Sequence, residues 1–263
     1  MFAFSFYSIV ILSLFFCVLS LAVVVFVGSK KYSSRSFTVF LLFLSFWILS
    51  AGLFYSTINE DLAHLTLRSC YFFGTLISLS FFHFALSYPY NYKPSFITKI
   101  TLVAISIISI PLYYSSELLP VTKDLFLLSV EKFSEPIFCE MLWSYKFGTF
   151  AFFFDIIFFC FWFVGLATLY YKKNNKKFIL AKKQISHIYI TMLFGVIPAG
   201  ILIIILPRLG IFDFFWLGII PIAGSSIFMS YSIMEYGQMN IKTASTEFLV
   251  LVAAGLLFLS IFV

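Results

Sequence analysis

Apolar residues in this chain run continuously rather than alternating with polar ones. Eight runs stand out, at roughly 2–27, 37–57, 67–88, 97–115, 147–171, 184–206, 211–233 and 247–263. Each is close to the ~20 residues that cross a ~30 Å hydrocarbon core as an α-helix. Barrel strands are short and alternate in polarity, so a β-barrel does not fit, and in lipid the helix is then the remaining self-satisfied backbone. The pattern predicts an all-α protein: a polytopic membrane helical bundle of seven transmembrane helices plus an eighth at the C-terminus. No long polar stretch interrupts the first seven runs. Residues 1–242 are therefore read as one seven-helix membrane domain, and 243–263 as a short linker and an additional apolar helix. The eighth run spans only about 25 Å as a helix and has no polar cap. It is either a true eighth crossing or the point where a longer natural chain continues.

Composition narrows the class. Hydrophobic residues make up 62% of the 263 and charged residues 11%, with 38 phenylalanines. A soluble domain carries about 25% charged residues, and one this small could not bury so much apolar surface. A soluble enzyme, a disordered chain and a nucleic-acid-binding domain are excluded, and the net charge of +6 takes its meaning from where the lysines fall.

They fall on alternate loops. The first run has no basic residue before it, unlike a signal peptide; Lys30, Lys31 and Arg35 follow it. Glu60 and Asp61 lie in the next loop, Lys93 and Lys99 after the third run, and Glu117, Asp124, Glu131, Glu135 and Glu140 in the 116–146 loop. Lys172, Lys173, Lys176, Lys177, Lys182 and Lys183 then form a block with no acid. The positive-inside rule turns this into an expected topology: a multi-pass protein of the inner (plasma) membrane, N-terminus outside, 116–146 outside and 172–183 in the cytoplasm. The lysine block either binds anionic lipid or simply fixes orientation, and the second reading is preferred.

Three stretches carry a resemblance. They are Arg35-Ser36-Phe37 through Leu41-Leu42 with Trp47 and Gly52; Tyr71-Phe72-Phe73-Gly74 with Phe84-Ala85-Leu86-Ser87-Tyr88; and Tyr231-Ser232-Ile233-Met234-Glu235-Tyr236 followed by Met239-Asn240-Ile241. Together they resemble the seven-helix N-terminal sensory region of bacterial histidine kinases, over about residues 1–242. The acid often found late in the second span of that family is replaced here by Ser56 and Thr57, and span three lacks a mid-helix proline. The resemblance implies a sensory input module that passes an extracytoplasmic or membrane stimulus to a signalling output domain outside these residues. The implied partners are membrane lipid, a cytoplasmic signalling domain or partner kinase, and a second copy of the chain; no nucleic acid is expected. A retinal protein is not expected, because 211–233 contains no lysine.

Chemistry-bearing motifs are few. His64, His83 and His187 are followed by Leu, Phe and Ile rather than an acid, and no glycine-rich nucleotide motif, His-Glu-x-x-His, Gly-x-Ser-x-Gly or Cys-x-x-Cys occurs. No catalysis, metal or cofactor is expected. His83 and His187 reach similar depth, so a shared haem is conceivable, but hydrogen bonding to backbone or headgroups is the reading adopted. Cys17 and Cys160 read as packing residues. Cys70 and Cys139 both face the expected outer side, where either a disulfide or two unpaired thiols is open. Pro198 and Pro221, with glycines nearby, read as a hinge or as an ordinary kink.

The candidate ligand site centres on Asp155. It is expected about 12 Å deep in span five, where a charge must be neutralised, paired or faced into a cavity. No base is expected deep beside it, which argues against the runner-up reading, a small transporter or channel. Tyr71, Gly74 and Ser78 share a face of span three, Pro198 and Gly200 reach similar depth on span six, and Arg68 can reach down along its apolar stem. These groups either line a pocket open to the outside, or Asp155 merely hydrogen-bonds neighbouring hydroxyls.

Overall fold

The structure is a computed structural model that describes residues 6–89, 92–118, 127–132, 143–147, 151–236 and 252. It is an all-α bundle. Helices α1 (Phe6–Gly28), α2 (Tyr32–Ser56), α3 (Glu60–Ser87), α4 (Phe96–Leu118), α5 (Ala151–Asn174), α6 (Lys182–Arg208) and α7 (Phe215–Tyr236) follow the first seven apolar runs. Among the described residues, six helices are long and apolar enough to cross a membrane: all but α4, whose apolar part Phe96–Ile110 is shorter. The chain is a membrane protein on that ground. Apart from Val252, the eighth run lies outside the described residues.

Helix starts differ from the hydropathy reading where polar residues join the helix. α3 begins at Glu60 because Asn59 caps it, its side chain accepting from the Leu62 N–H at 3.1 Å. Glu60 and Asp61 then sit in the first turn, where acids complement the helix dipole. The opposite shift occurs in α5. Residue 147 belongs not to this helix but to a strand, and α5 starts at Ala151. The 116–146 segment, expected only as a loop, contains an antiparallel hairpin of β1 (Leu127–Lys132) and β2 (Trp143–Phe147), with Val130 opposite Tyr145 and an irregularity between Leu127 and Ser129.

α2 packs between α1 and α3, α5 lies against α3, and α6 and α7 pair and close back on α1 through α7. The centre is aromatic. Trp162 stacks on Phe81 at 4.2 Å between ring centroids and meets Phe40 edge-on. Many buried positions are Ser or Thr, including Ser45, Ser50, Thr75, Ser78 and Ser80. Small residues let membrane helices approach closely, and these hydroxyls donate to carbonyls three or four residues back in their own helix. Gly195 shows how close α6 and α7 lie: a Cβ built there would stand 2.3 Å from Ser225 Oγ. The outward faces remain apolar, with Ile100, Val103, Ile107, Phe163, Phe194 and Ile201 exposed, as lipid requires.

Basic residues gather at one end of the bundle. There Lys172 of α5 turns inward and donates to the carbonyls of Ala85 (2.7 Å), Leu86 (2.7 Å) and Tyr88 (2.5 Å). All three ammonium protons are used, on carbonyls that the end of α3 leaves without helical partners. One lysine of the block thus caps a neighbouring helix.

Candidate functional site at the hairpin-capped end

At the other end the hairpin docks onto the helices. Trp143 Nε1 donates to the Thr57 carbonyl at 2.9 Å, just past the end of α2. Tyr145 is buried; its ring meets Phe54 edge-on at 6.1 Å and Phe212 at 4.9 Å. Its phenol interacts with that of Tyr71 on α3. Burial pushes the Tyr145 phenol above the ordinary tyrosine range, because a phenolate here would lose its hydration.

Beneath this cap lies a small, partly enclosed cavity of about 40 Å³. Its walls include Trp47, Tyr71, Gly74, Phe154, Val196 and Gly200, from α2, α3, α5 and α6, and α7 adds Phe215 and Ile222. The lining is almost wholly apolar, so the space stays dry or takes an apolar group. Gly74 lets the Phe154 ring approach: a Cβ there would meet it at 3.2 Å.

The α6 wall is irregular. Residues Gly200–Ile205 form a π-helical stretch between Pro198 and Pro207. Proline lacks an N–H and clashes with the carbonyl four residues earlier, here Ile203 within that stretch. A wider turn absorbs the misfit.

Asp155 sits one turn into α5, shallower than the eight residues expected, because the hairpin occupies the start of the predicted span. Its partner is Arg208, at the far end of α6, whose Nη2 donates to Oδ2 at 2.7 Å. The absence of a base beside Asp155 is therefore corrected. The side chains are 18% and 27% exposed respectively, so the pair is half shielded. The other carboxylate oxygen, Oδ1, is buried without a hydrogen-bond partner among the described residues.

The remaining candidates divide. Tyr71, Gly74 and Gly200 line the cavity. Ser78 does not: it is fully buried and donates to the Thr75 carbonyl at 2.8 Å. Arg68 is 8% exposed and lies within electrostatic range of His64, and the cation on Asp155 is Arg208 instead. Cys70 is a buried free thiol on the cavity wall; Cys139 lies outside the described residues. His83 is held by Tyr32 and Ser36 side chains, not by backbone, while His187 is exposed; the two do not form a shared site. Among the described residues no cluster of metal-ligating side chains occurs.

Arg208, Trp143 and Tyr145 escaped the sequence reading. A signal for Arg208 existed: it is the sole lysine or arginine between Lys183 and Lys242, one residue after a proline. No family model and no curated protein matches the chain.

Proposed function

We propose that the chain is a membrane-embedded sensory input module of the plasma membrane, with its N-terminus and hairpin outside and its lysine-rich end in the cytoplasm. The observation that carries this reading is the apolar cavity between helices beneath a docked hairpin, with one wall built from the π-helical stretch of α6. Such stretches lie often at functional sites, and a cavity in a helical bundle is a default ligand position. A small apolar stimulus entering there presses on α6, whose Gly200, Ile203 and Ile204 form part of the lining. Displacement of α6 reaches α7 through the Gly195–Ser225 contact, and α7 carries it to the lysine-rich end. The likeness to histidine-kinase sensory regions and the positive-inside charge pattern support the same direction of signalling.

Two measurements test this. Reporter fusions at Asn174 and Lys123 should give opposite topologies, and a periplasm-active reporter working at Asn174 would overturn the orientation. Residues 1–242, fused to a kinase transmitter after Lys242 on the cytoplasmic side of α7, should report changed kinase output when Val196→Trp fills the cavity. Output identical to the parent, together with solute flux in proteoliposomes, would favour a transporter instead.

A further inference from the structure

A second opening lies at the lysine-rich end, between α2, α3 and α4. At the hairpin end α4 is held to α3 by side-chain hydrogen bonds that include Thr75 to Tyr113 at 2.7 Å and Ser69 to Tyr114 at 2.9 Å. Toward the lysine-rich end, its side-chain hydrogen bonds among the described residues stay within α4 or the residue before it. The helices part there, leaving a cleft of about 390 Å³.

The cleft is amphipathic along its length. Val39 and Phe43 of α2, Leu76 and Leu79 of α3, and Leu102 and Val103 of α4 form its apolar walls, and the cleft runs about 10 Å along α4 from Lys99 to Ser106. Val39 and Val103 are exposed, so the cleft opens sideways toward lipid. Its mouth is polar and cationic. His83 bonds Tyr32 Oη at 3.0 Å and Ser36 Oγ at 2.6 Å, which fixes the Tyr32 ring. Lys99 Nζ rests 5.5 Å from the centre of that ring. Among the described residues no carboxylate pairs with Lys99, and every acid of α2, α3 and α4 stands at the opposite end.

We infer that this cleft binds one anionic phospholipid of the leaflet at the lysine-rich end, its acyl chain between α2 and α4 and its phosphate at Lys99. The occupant follows from the combination. Apolar walls open to the bilayer admit a chain that is already there, and an unpaired ammonium at headgroup level selects a negative head. A zwitterionic lipid gains the same apolar contact without the net charge. The site is separate from the hairpin-capped cavity and does not depend on its role.

The test is native mass spectrometry of the full chain, released from nanodiscs containing phosphatidylglycerol and phosphatidylcholine of equal chain length. The wild type should retain one phosphatidylglycerol in preference. Lys99→Gln should weaken that retention about fivefold, Lys99→Arg should keep it, and Val103→Trp should lower it by obstructing the cleft while leaving the charge. Lys176→Gln with Lys177→Gln, at the same end but outside the cleft, should not change it. Millimolar glycerol phosphate should fail to displace the lipid. Unfolding midpoints confirm that each variant is folded. Equal retention in wild type, Lys99→Gln and Val103→Trp overturns the site. So does an equal loss in the Lys176/Lys177 variant, which would mean general surface charge. Displacement by glycerol phosphate would reassign the mouth to a soluble phosphate.

Discussion

The guanidinium of Arg208 and the carboxylate of Asp155 meet at 2.7 Å, joining the hairpin-side ends of α5 and α6. Removing either charge strands the other in half-shielded, largely apolar surroundings. Arg208→Met is expected to destabilise the bundle by about 1–3 kcal/mol, below the range of a fully buried pair because water still reaches both groups. Asp155→Asn with Arg208→Met should recover part of the loss. Unfolding midpoints in one detergent check this; additive losses in the double variant would mean that the two groups do not interact.

Lys172 makes a sharper case. Lys172→Met removes the donor from three carbonyls at once and should cost about 2–4 kcal/mol. Lys172→Arg should not restore it fully, since a planar fork cannot point at three oxygens as an ammonium does. Lys176→Met, exposed just beyond the end of α5, should be neutral. Thermal unfolding and protease sensitivity of the 88–95 connection are the readouts. Equal effects at 172 and 176 would contradict the capping role.

Alkaline pH should loosen the hairpin. Burial raises the Tyr145 phenol above its ordinary value, so the folded state favours the neutral form. The associated stability is whole below the unfolded tyrosine value of about 10. It declines as pH rises beyond that, where the undocked phenol ionises and the docked one does not. Tyr145→Phe should remove this component from the pH profile. Trp143→Phe, which loses the bond to Thr57, should cost about 1 kcal/mol at every pH. Hydrogen exchange in the hairpin measures both.

Gly195→Ala should separate α6 from α7. Its new methyl would collide with Ser225 Oγ at 2.3 Å and Ser225 Cβ at 2.7 Å, an overpacking expected to cost about 1–3 kcal/mol. Ser225→Gly in the same chain should relieve it. If the single variant unfolds at the wild-type temperature, the close approach is not a constraint.

How much of this was legible beforehand depends on the range of the interaction. Seven helices could be read from hydropathy because lipid imposes apolarity on each span separately. Hydropathy misses the start of α3 because a cap such as Asn59 is polar and local, invisible to a hydropathy count. Lys172 looked like any other lysine of its block, since only the fold brings the end of α3 beneath it. The hairpin was hidden because Trp143 and Tyr145 read as part of a mixed loop until Thr57, Phe54 and Phe212 supply their surroundings. In the site, Tyr71, Gly74 and Gly200, which share a depth by sequence position, line one cavity. Ser78 was misplaced because helical spacing gives a face but not whether a hydroxyl turns back to its own backbone. Hydropathy misses Arg208 because the apolar run of span six ends at residue 206.

The π-helical stretch of α6 also sets an angular phase. A π turn accommodates one residue more than an α turn, so everything after it is rotated relative to an unbroken α-helix by about 100°, the angle of one residue. Arg208 comes after that shift. Deleting a single residue from 201–205 would let α6 run as a regular helix and swing Arg208 about a quarter turn around the axis, away from α5. The ion pair is thus a register mark: whether Arg208 can find Asp155 reports, on one side chain, which of two windings α6 has adopted.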